Sequence, residues 1–446
     1  MRKMPITRFR GRLLLGAGLA CTLLWAGTPL LAGDYRNSSH GSATSGVDRS
    51  TIDSKYSAFS KGNCAHCHEQ HASLEGVEPN PVTGAVPYAT FAHEQDLCLA
   101  CHDGSPALTN VQADITKANK HGGLLSDTAH HYGETLAELS TTKHVECVDC
   151  HNPHAAQTTL HTAGSNAIAT NSLLLKVFGA TPTWSTANWT APAVYTMQTA
   201  TKEYEICFKC HSGANTNWAS WGGTAATAWT DVALEFSPYN RAGHPIAAGL
   251  SSYANSISPK ALVSAQLTSP WNVNMGTQTM YCSDCHASDS TVAGPHGSAT
   301  KWMLAGTNKA WPYTLAANNG TSAGTFRTLS NSTTGSGGTN GLFCLNCHPA
   351  TTSASSNSVH RKGDHSGYSC VACHIRVPHG SKVSRFITAN GGGLPARYYP
   401  DGNGGGHSGF SQFRKSTISK DSYAKTACRS SCAGDHSSSV TSPESW

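Results

Sequence analysis

The most informative segment of the chain reads Lys143-His144-Val145-Glu146-Cys147-Val148-Asp149-Cys150-His151-Asn152-Pro153-His154. It places Cys147 and Cys150 three residues apart and His151 directly after them. On a short helical turn, side chains at this spacing lie on one side of the backbone. Two thiols and one imidazole can therefore act on the same group.

The five-residue pattern Cys-x-x-Cys-His occurs seven times, and we number the copies as attachment units 1 to 7 in chain order. It is the attachment signature of c-type haem, in which both thiols bond to the haem vinyl groups and the histidine binds the iron. The predicted thioether cysteines are Cys64, Cys67, Cys98, Cys101, Cys147, Cys150, Cys207, Cys210, Cys282, Cys285, Cys344, Cys347, Cys370 and Cys373. The predicted proximal iron ligands, called attachment histidines below, are His68, His102, His151, His211, His286, His348 and His374. The sequence thus predicts seven covalently attached haem c groups.

Disulfides or zinc sites are the alternative interpretation of these cysteine pairs. Neither requires a histidine directly after the second cysteine, which every unit has. The units use 14 of the 17 cysteines and leave Cys21, Cys428 and Cys432. A local disulfide or an atypical eighth haem are both open for Cys428 and Cys432, since Ala433 stands where a histidine would follow.

The second axial position of each iron needs a further ligand. Of 24 histidines 17 lie outside the attachment positions, whereas four methionines remain beyond the N-terminal segment: Met197, Met275, Met280 and Met303. Histidine on both sides is therefore expected at most or all irons, which implies low-spin iron, low potentials and no vacant site.

Ten histidines are the candidates for the seven distal positions, with solvent-facing or propionate-bonding roles as the alternative. Some follow a unit closely, twice in a Pro-His-Gly context; others precede a unit or stand in longer connections. The candidates are His71, His121, His131, His144, His154, His244, His296, His360, His365 and His379. His40, His93, His130 and His161 are less favoured, and His66 is interpreted as a spacer inside unit 1.

Residues 1–33 have the composition of an export signal. Five basic residues precede an apolar run from Leu13 to Leu31, and Ala32 suits cleavage before Asp34. A retained membrane anchor, or a lipid on Cys21, is the alternative. We expect an exported protein of the periplasm, outer cell surface or extracellular space, with no transmembrane span after signal cleavage.

The remaining chain predicts three further regions. Residues 34–155 hold units 1 to 3, residues 156–387 hold units 4 to 7, and residues 388–446 form a Gly- and Ser-rich tail. Sustained helical or strand periodicity is absent from the sequence, so a conventional apolar core is not expected. We predict a mostly irregular fold with short α-helices at the attachment units, little β-structure and the haems as its core.

Charge argues against nucleic-acid binding. Removing the five basic residues of the signal from the 31 Lys and Arg leaves 26, equal to the 26 Asp and Glu, and haem propionates would add negative charge.

The units, together with segments 64–73, 143–154, 294–298 and 360–380, resemble the exported multihaem c-type cytochromes of metal-reducing, electricity-producing bacteria. The likeness implies bis-histidine haems stacked into a continuous wire. It also implies partners among periplasmic or outer-membrane redox proteins, with metal oxides or electrodes as further acceptors, and polymerisation with itself in some members. His71, His154, His296 and His379 match positions that are often distal ligands in such proteins.

An electron carrier, not an enzyme, is the expected function. The alternatives are a multihaem reductase of the nitrite, hydroxylamine or tetrathionate type with one open haem, and a protein of haem storage or delivery. Several such reductases carry lysine in place of the attachment histidine, and Cys-x-x-Cys-Lys is absent from this sequence.

Overall fold

The structure is a computed structural model, and the statements below concern the residues that it describes. These are residues 32–68, 94–121, 135–139, 145–216, 230–252, 261–309, 313–314, 325–326, 343–349, 374–388, 394–399, 410–413 and 428–430.

Short helices provide most of the regular structure in these ranges. The α-helices are α1 Ala32–Asn37, α2 Glu94–His102, α3 Val111–Ile115, α4 Leu136–Leu139, α5 Cys147–Cys150, α6 Glu203–His211 and α7 Val232–Glu235. The 3-10 helices are Arg49–Thr51, Ser54–Ala58, Cys64–His66, Leu250–Ser252, Ser264–Gln266, Cys282–Asp284, Lys301–Met303, Phe343–Asn346, Ser384–Phe386 and Ala396–Tyr398. Units 1 to 6 therefore all contain a helical turn.

Local hydrogen bonds explain why the attachment units are helical. The amide of His151 donates to the carbonyl of Cys147 at 2.9 Å, and His286 donates likewise to Cys282. In two units, the aspartate between the two cysteines caps the N-terminus of the turn. Asp149 accepts from the amide of Glu146 at 2.7 Å, and Asp284 accepts from the amide of Tyr281 at 2.8 Å. The thiols and the imidazole of one unit consequently share one side of the turn.

The strands of the described ranges form five sheets of two antiparallel strands each. The strands are β1 Asn119–Lys120, β2 Phe178–Thr183, β3 Val194–Thr199, β4 Ala242–Gly243, β5 Gly297–Ser298, β6 Tyr313–Thr314, β7 Thr325–Phe326, β8 Gly380–Ser381, β9 Phe410–Phe413 and β10 Cys428–Ser430. The pairs are β1 with β5, β2 with β3, β4 with β8, β6 with β7 and β9 with β10. Two of these pairs, β1–β5 and β4–β8, place histidines that matter below.

An apolar cluster packs between the β2–β3 hairpin and α6. Phe208 and Ala180 are fully buried there, and Trp271, Phe236 and Met280 complete it. The expectation that the chain lacks a conventional apolar core is wrong for this region. The sequence conceals the cluster because its residues come from separate short elements and produce no periodic pattern. That the haems form the remaining core stays a prediction.

Two strand pairs bear on the predicted regions of the chain. Lys120 of β1 lies opposite Gly297 of β5, so a contact crosses the predicted boundary between residues 155 and 156. The predicted tail contributes β9 and β10, where Cys428 lies opposite Phe413; Cys432 falls outside the described residues. Within the described ranges, no helix has both the length and the apolar character needed to cross a membrane.

Candidate functional site

The thiols of consecutive units lie next to one another. Cys98 of unit 2 and Cys147 of unit 3 share a hydrogen bond. This bond is the largest cause of the raised pKa of the Cys98 thiol, and burial is the second. Cys207 of unit 4 and Cys282 of unit 5 form the same kind of contact. Cys67 and Cys101, Cys150 and Cys207, and Cys285 and Cys347 are near enough to influence each other electrostatically. Units 1 to 6 are therefore arranged in space in their chain order.

A glutamate one helical turn before the first cysteine joins two of these contacts. Glu94 begins α2 and accepts from the amide of Val148 at 2.8 Å; Glu203 begins α6 and accepts from Ser283 at 3.3 Å. Within the described residues, a carboxylate oxygen and two thiols lie within 4.8 Å of one another at each place, a grouping that could also hold a metal ion. Each group takes one thiol from each of two units. It leaves both attachment histidines unused.

Six attachment histidines each face a second imidazole, which we call the partner histidine. The ring centroids are 6.0 Å apart for His68–His154, 6.2 Å for His102–His40, 6.0 Å for His151–His296, 6.0 Å for His211–His121, 6.1 Å for His286–His379 and 6.3 Å for His348–His244. Rings in direct van der Waals contact stack more closely; His161 and Tyr281 have centroids 4.1 Å apart.

This spacing fits one metal ion between two rings. An imidazole nitrogen lies about 2 Å from a bound transition metal and about 1 Å from its own ring centroid, so rings on opposite faces of one ion have centroids about 6 Å apart. All six pairs fall near this value. Each attachment histidine directly follows the second cysteine of its unit, so two thiols and two imidazoles could together hold the group that the sequence predicts.

The hydrogen bonds orient these rings for binding through Nε2. In five of the paired rings, Nδ1 donates to a backbone carbonyl. The pairs are His121 to Pro295 (2.6 Å), His244 to Pro378 (2.5 Å), His286 to Trp302 (2.7 Å), His40 to Pro153 (3.1 Å) and His151 to Leu173 (3.4 Å). His102 meets the hydroxyl of Thr109 at 2.9 Å, and His379 meets a carboxylate oxygen of Glu235 at 2.6 Å. An acceptor at Nδ1 fixes the proton there and leaves the lone pair on Nε2.

Burial favours the neutral form of nine of the twelve paired rings. Burial is the largest cause, and the neighbouring imidazoles add to it. Together they lower the pKa of His211 to about 3 and the pKa of His286, His296 and His348 to about 4. The pKa values of His102, His121, His151, His154 and His244 are lowered as well, again mainly by burial. Only the neutral imidazole has a lone pair for a metal, so these histidines are ready to bind at neutral pH.

The six partner histidines occur two by two in an arrangement that we call a histidine clasp. In a clasp, two distant segments run side by side, and Nδ1 of the histidine on the first donates to the carbonyl of the proline that precedes the histidine on the second. The first clasp holds His40 and His154, the second His121 and His296, and the third His244 and His379. Each clasp faces two consecutive units: 1 and 2, 3 and 4, or 5 and 6.

Backbone contacts are the same in the second and third clasps. His121 donates its amide to the carbonyl of His296 beside β1–β5, and His244 donates to His379 beside β4–β8, each at 3.1 Å. A glycine follows the second histidine in both. A Cβ on Gly297 would lie 1.9 Å from the carbonyl oxygen of Asp114, and a Cβ on Gly380 would lie 1.7 Å from that of Glu235. Only glycine therefore permits these segments to approach α3 and α7.

Two other histidines are held by hydrogen bonds at Nε2. His66 is fully buried, and its Nε2 donates to the carbonyl of Ser60 at 3.0 Å while Nδ1 accepts from the amide of Arg49. Nε2 of His161 bonds to the carboxylate of Asp284 at 2.7 Å. Although burial acts against it, this contact raises the pKa of His161. Both rings thus differ from the paired ones, whose described contacts use Nδ1.

His40 is the partner histidine that the sequence did not favour. It stands in a polar leader without a preceding proline, and its pairing with His102 depends on a segment 113 residues away. The signal that could have found it is the glycine that follows, because a Cβ on Gly41 would lie 1.8 Å from the carbonyl oxygen of Tyr35.

Several predicted ligands lie outside the described residues. They are His71, His131, His144, His360 and His365, together with the unit 7 cysteines Cys370 and Cys373. His374, the attachment histidine of unit 7, is described, and its Nδ1 donates to the carbonyl of Arg385 at 2.9 Å.

No family model, curated protein or solved structure matches this chain.

Proposed function

We propose that this chain is an exported c-type cytochrome that carries electrons along seven bis-histidine haems. The observation that carries the proposal is the facing of six attachment histidines and six partner histidines at 6.0 to 6.3 Å between ring centroids. Apolar packing alone would not hold imidazoles repeatedly at this separation, whereas a shared metal requires it.

The residues present divide the work of holding a haem. The two cysteines of each unit provide the covalent attachment, and the histidine that follows them provides one axial ligand. The clasps provide the second ligand and fix its orientation through Nδ1. When bound, the haem supplies one-electron chemistry, because its iron alternates between the ferric and ferrous states.

Occupation of both axial positions favours electron transfer over catalysis. An iron held between two imidazoles would have no position for a substrate. In units 1 to 6, the role of the protein side chains is therefore to hold the imidazoles in place. This supports a carrier in preference to a reductase of the nitrite, hydroxylamine or tetrathionate type.

The thiol contacts support a path that follows the chain. The cysteines of each unit from 1 to 5 lie within hydrogen-bonding or electrostatic range of a cysteine of the following unit, so groups attached to them would follow one another in the same order. Electrons would enter near one end of this series and leave near the other. The proposed partners are periplasmic or outer-membrane redox proteins, a second copy of the chain in a filament, and external metal oxides or electrodes.

The test combines haem counting with a matched pair of variants. Mass spectrometry of the exported protein should show seven haem additions, and the oxidised protein should give low-spin signals in electron paramagnetic resonance. His154→Ala should open one iron and produce carbon monoxide binding at about one site per chain after reduction. His161→Ala should bind none, because Asp284 holds that ring at Nε2.

Three results would contradict the proposal. Zinc in place of haem would favour the glutamate and cysteine groups around Glu94 and Glu203. A high-spin iron in the unaltered protein would favour a reductase. Carbon monoxide binding by H161A equal to that by H154A would show that clasp membership does not determine ligation.

A further inference from the structure

The third clasp contains a buried charged pair that contacts a partner histidine. Glu235, at the end of α7, has no solvent exposure, and one oxygen of its carboxylate accepts the Nδ1 proton of His379 at 2.6 Å. The other oxygen contacts the guanidinium of Arg397. Asp231 caps α7 by accepting the amide of Ala233 at 2.9 Å, which fixes the helix that carries Glu235.

This contact differs from the other described Nδ1 contacts of the paired histidines. Their acceptors are neutral: the backbone carbonyls of Pro153, Pro295, Leu173, Pro378 and Trp302, and the hydroxyl of Thr109. A carboxylate attracts the Nδ1 proton more strongly than a carbonyl does. The imidazole becomes more basic at Nε2 as a result.

The charge of Glu235 is maintained by its surroundings. The Arg397 guanidinium contacts one carboxylate oxygen and His379 donates to the other, so the buried carboxylate has a counter-charge and a hydrogen-bond donor. Because Glu235 and Arg397 form a pair of opposite charges, their long-range fields largely cancel. The hydrogen bond to His379 is then the main effect of the pair on the ring.

We propose that Glu235, acting through His379, lowers the reduction potential of the haem on unit 5 below that of the haems whose ligands meet neutral acceptors. This rests on the proposed function. A more basic axial imidazole donates more electron density and favours ferric over ferrous iron, so one electron is accepted less readily there. Glu235 is a positioning and tuning residue, since it reaches the iron only through His379. Unit 5 thereby separates the series into two segments, and electrons added to the protein occupy the haems on both sides of it first.

The test is a potentiometric titration of the full-length holoprotein, followed by electron paramagnetic resonance so that individual haems are resolved. In Glu235→Gln, the reduction potential of one of the seven haems should rise by about 59 mV. For a one-electron couple this is about a tenfold larger ratio of reduced to oxidised haem at a fixed potential. Glu205→Gln is the matched control. Glu205 is also buried, but it accepts from the backbone amides of Thr201 and Lys202.

A double variant separates the hydrogen bond from simple charge. Glu235→Gln with Arg397→Gln removes one charge of each sign, so a through-space effect would return the transition to its original position. The proposed effect requires the upward shift to persist, because the amide oxygen is a weaker acceptor for His379. Glu235→Asp, which keeps the charge but shortens the side chain, should shift the same transition upward and serves if the glutamine variants do not fold.

The inference is overturned if no transition moves in the Glu235 variants, if the double variant returns to the original potential, or if E205Q shifts the same haem equally. The haem count of the unaltered protein distinguishes these results from failure of the proposed function. Seven haems without the shift would refute only the role of Glu235, whereas absence of haem would refute both.

Discussion

The second and third histidine clasps share one backbone design and differ by one methylene group. In both, a short helix ends near a fully buried acidic residue, Asp114 or Glu235, whose carbonyl lies beneath the glycine of a Pro-His-Gly segment. Glu235 reaches Nδ1 of His379. Asp114 is shorter and binds Lys117 and Ser290 instead, and Nδ1 of His296 has no hydrogen-bond acceptor among the described residues.

The comparison teaches that the backbone places the partner histidine and the acidic side chain sets its hydrogen bonding. Identical strand contacts fix where His296 and His379 lie. Their hydrogen-bonding differs because of the length of one side chain. The cations differ in their other contacts: Lys117, whose side chain is 26% exposed, also binds Asp289, whereas Arg397, whose side chain is 21% exposed, also contacts the hydroxyl of Thr230.

The largest effect is expected from the shared glycines. In Gly380→Ala and Gly297→Ala the new Cβ would overlap a backbone carbonyl, which cannot move as a flexible side chain would. We expect a loss of about 3 kcal/mol or more in the free energy of unfolding, together with reduced haem content. Denaturant unfolding and haem absorbance measure both.

The first clasp supplies the control for this prediction. It has Ala155 where the others have glycine, so Ala155→Gly should cost only about 1 kcal/mol or less. The shared design would be refuted if either glycine variant were as stable as the unaltered protein.

The two cations should have the next largest effect. Arg397→Met and Lys117→Met each leave a fully buried carboxylate, Glu235 or Asp114, without its counter-charge, so each should cost about 3 to 5 kcal/mol. Chemical denaturation measures both variants. Adding Glu235→Gln to R397M should recover much of the loss, and a double variant no more stable than R397M would contradict the ion-pair explanation.

A spectroscopic difference is expected without any substitution. The ring planes of His151 and His296 are 22° apart, and those of His286 and His379 are 73° apart. Nearly parallel imidazoles split the iron orbitals that receive their electrons, while nearly perpendicular ones leave them almost equal in energy. The ferric haem of unit 3 should therefore give a rhombic resonance spectrum, and that of unit 5 a strongly anisotropic one.

Three other pairs extend this prediction, whereas the ring planes of His244 and His348, 51° apart, lie between the two cases. His68–His154, at 12°, should resemble unit 3, while His121–His211 at 68° and His40–His102 at 87° should resemble unit 5. Low-temperature spectra should resolve two classes of low-spin iron. A single uniform class would contradict the ring orientations.

The smallest effect is expected from lengthening the acidic residue of the second clasp. Asp114→Glu adds the methylene that distinguishes the two clasps and should bring the carboxylate to Nδ1 of His296. The haem of unit 3 should then accept electrons less readily, by a factor below the tenfold expected for Glu235→Gln. Potentiometry measures the shift, and an unchanged or raised potential would show that length alone does not account for the difference.

The sequence predicted the attachment units and part of the clasps for local reasons. The Cys-x-x-Cys-His spacing is a short-range pattern, and the Pro-His-Gly segments around His296 and His379 mark turns that project an imidazole. The structure brings both histidines opposite an attachment histidine. Their role as iron ligands and the haem core stay predictions.

The pairing itself could not be predicted, because it depends on contacts between distant residues. The partner of His102 is His40, from a leader with no other sign of function. Glu235 was equally hidden: it belongs to a four-residue helix in a long connection, and only the approach of Gly380 and Arg397 gives it a role. Acidic residues of this kind are invisible to a search for ligand motifs.

The clasps also constrain how the protein can be assembled. Their two sides are 113, 174 and 134 residues apart, and the second begins before the first is complete, as the third begins before the second is complete. The sequence spans of the three clasps overlap, so every cut between His40 and His379 separates the two sides of at least one clasp. A polypeptide delivered from its N-terminus can close the first clasp only after unit 3 has arrived, and removal of one pair of units would leave a clasp without one of its two sides.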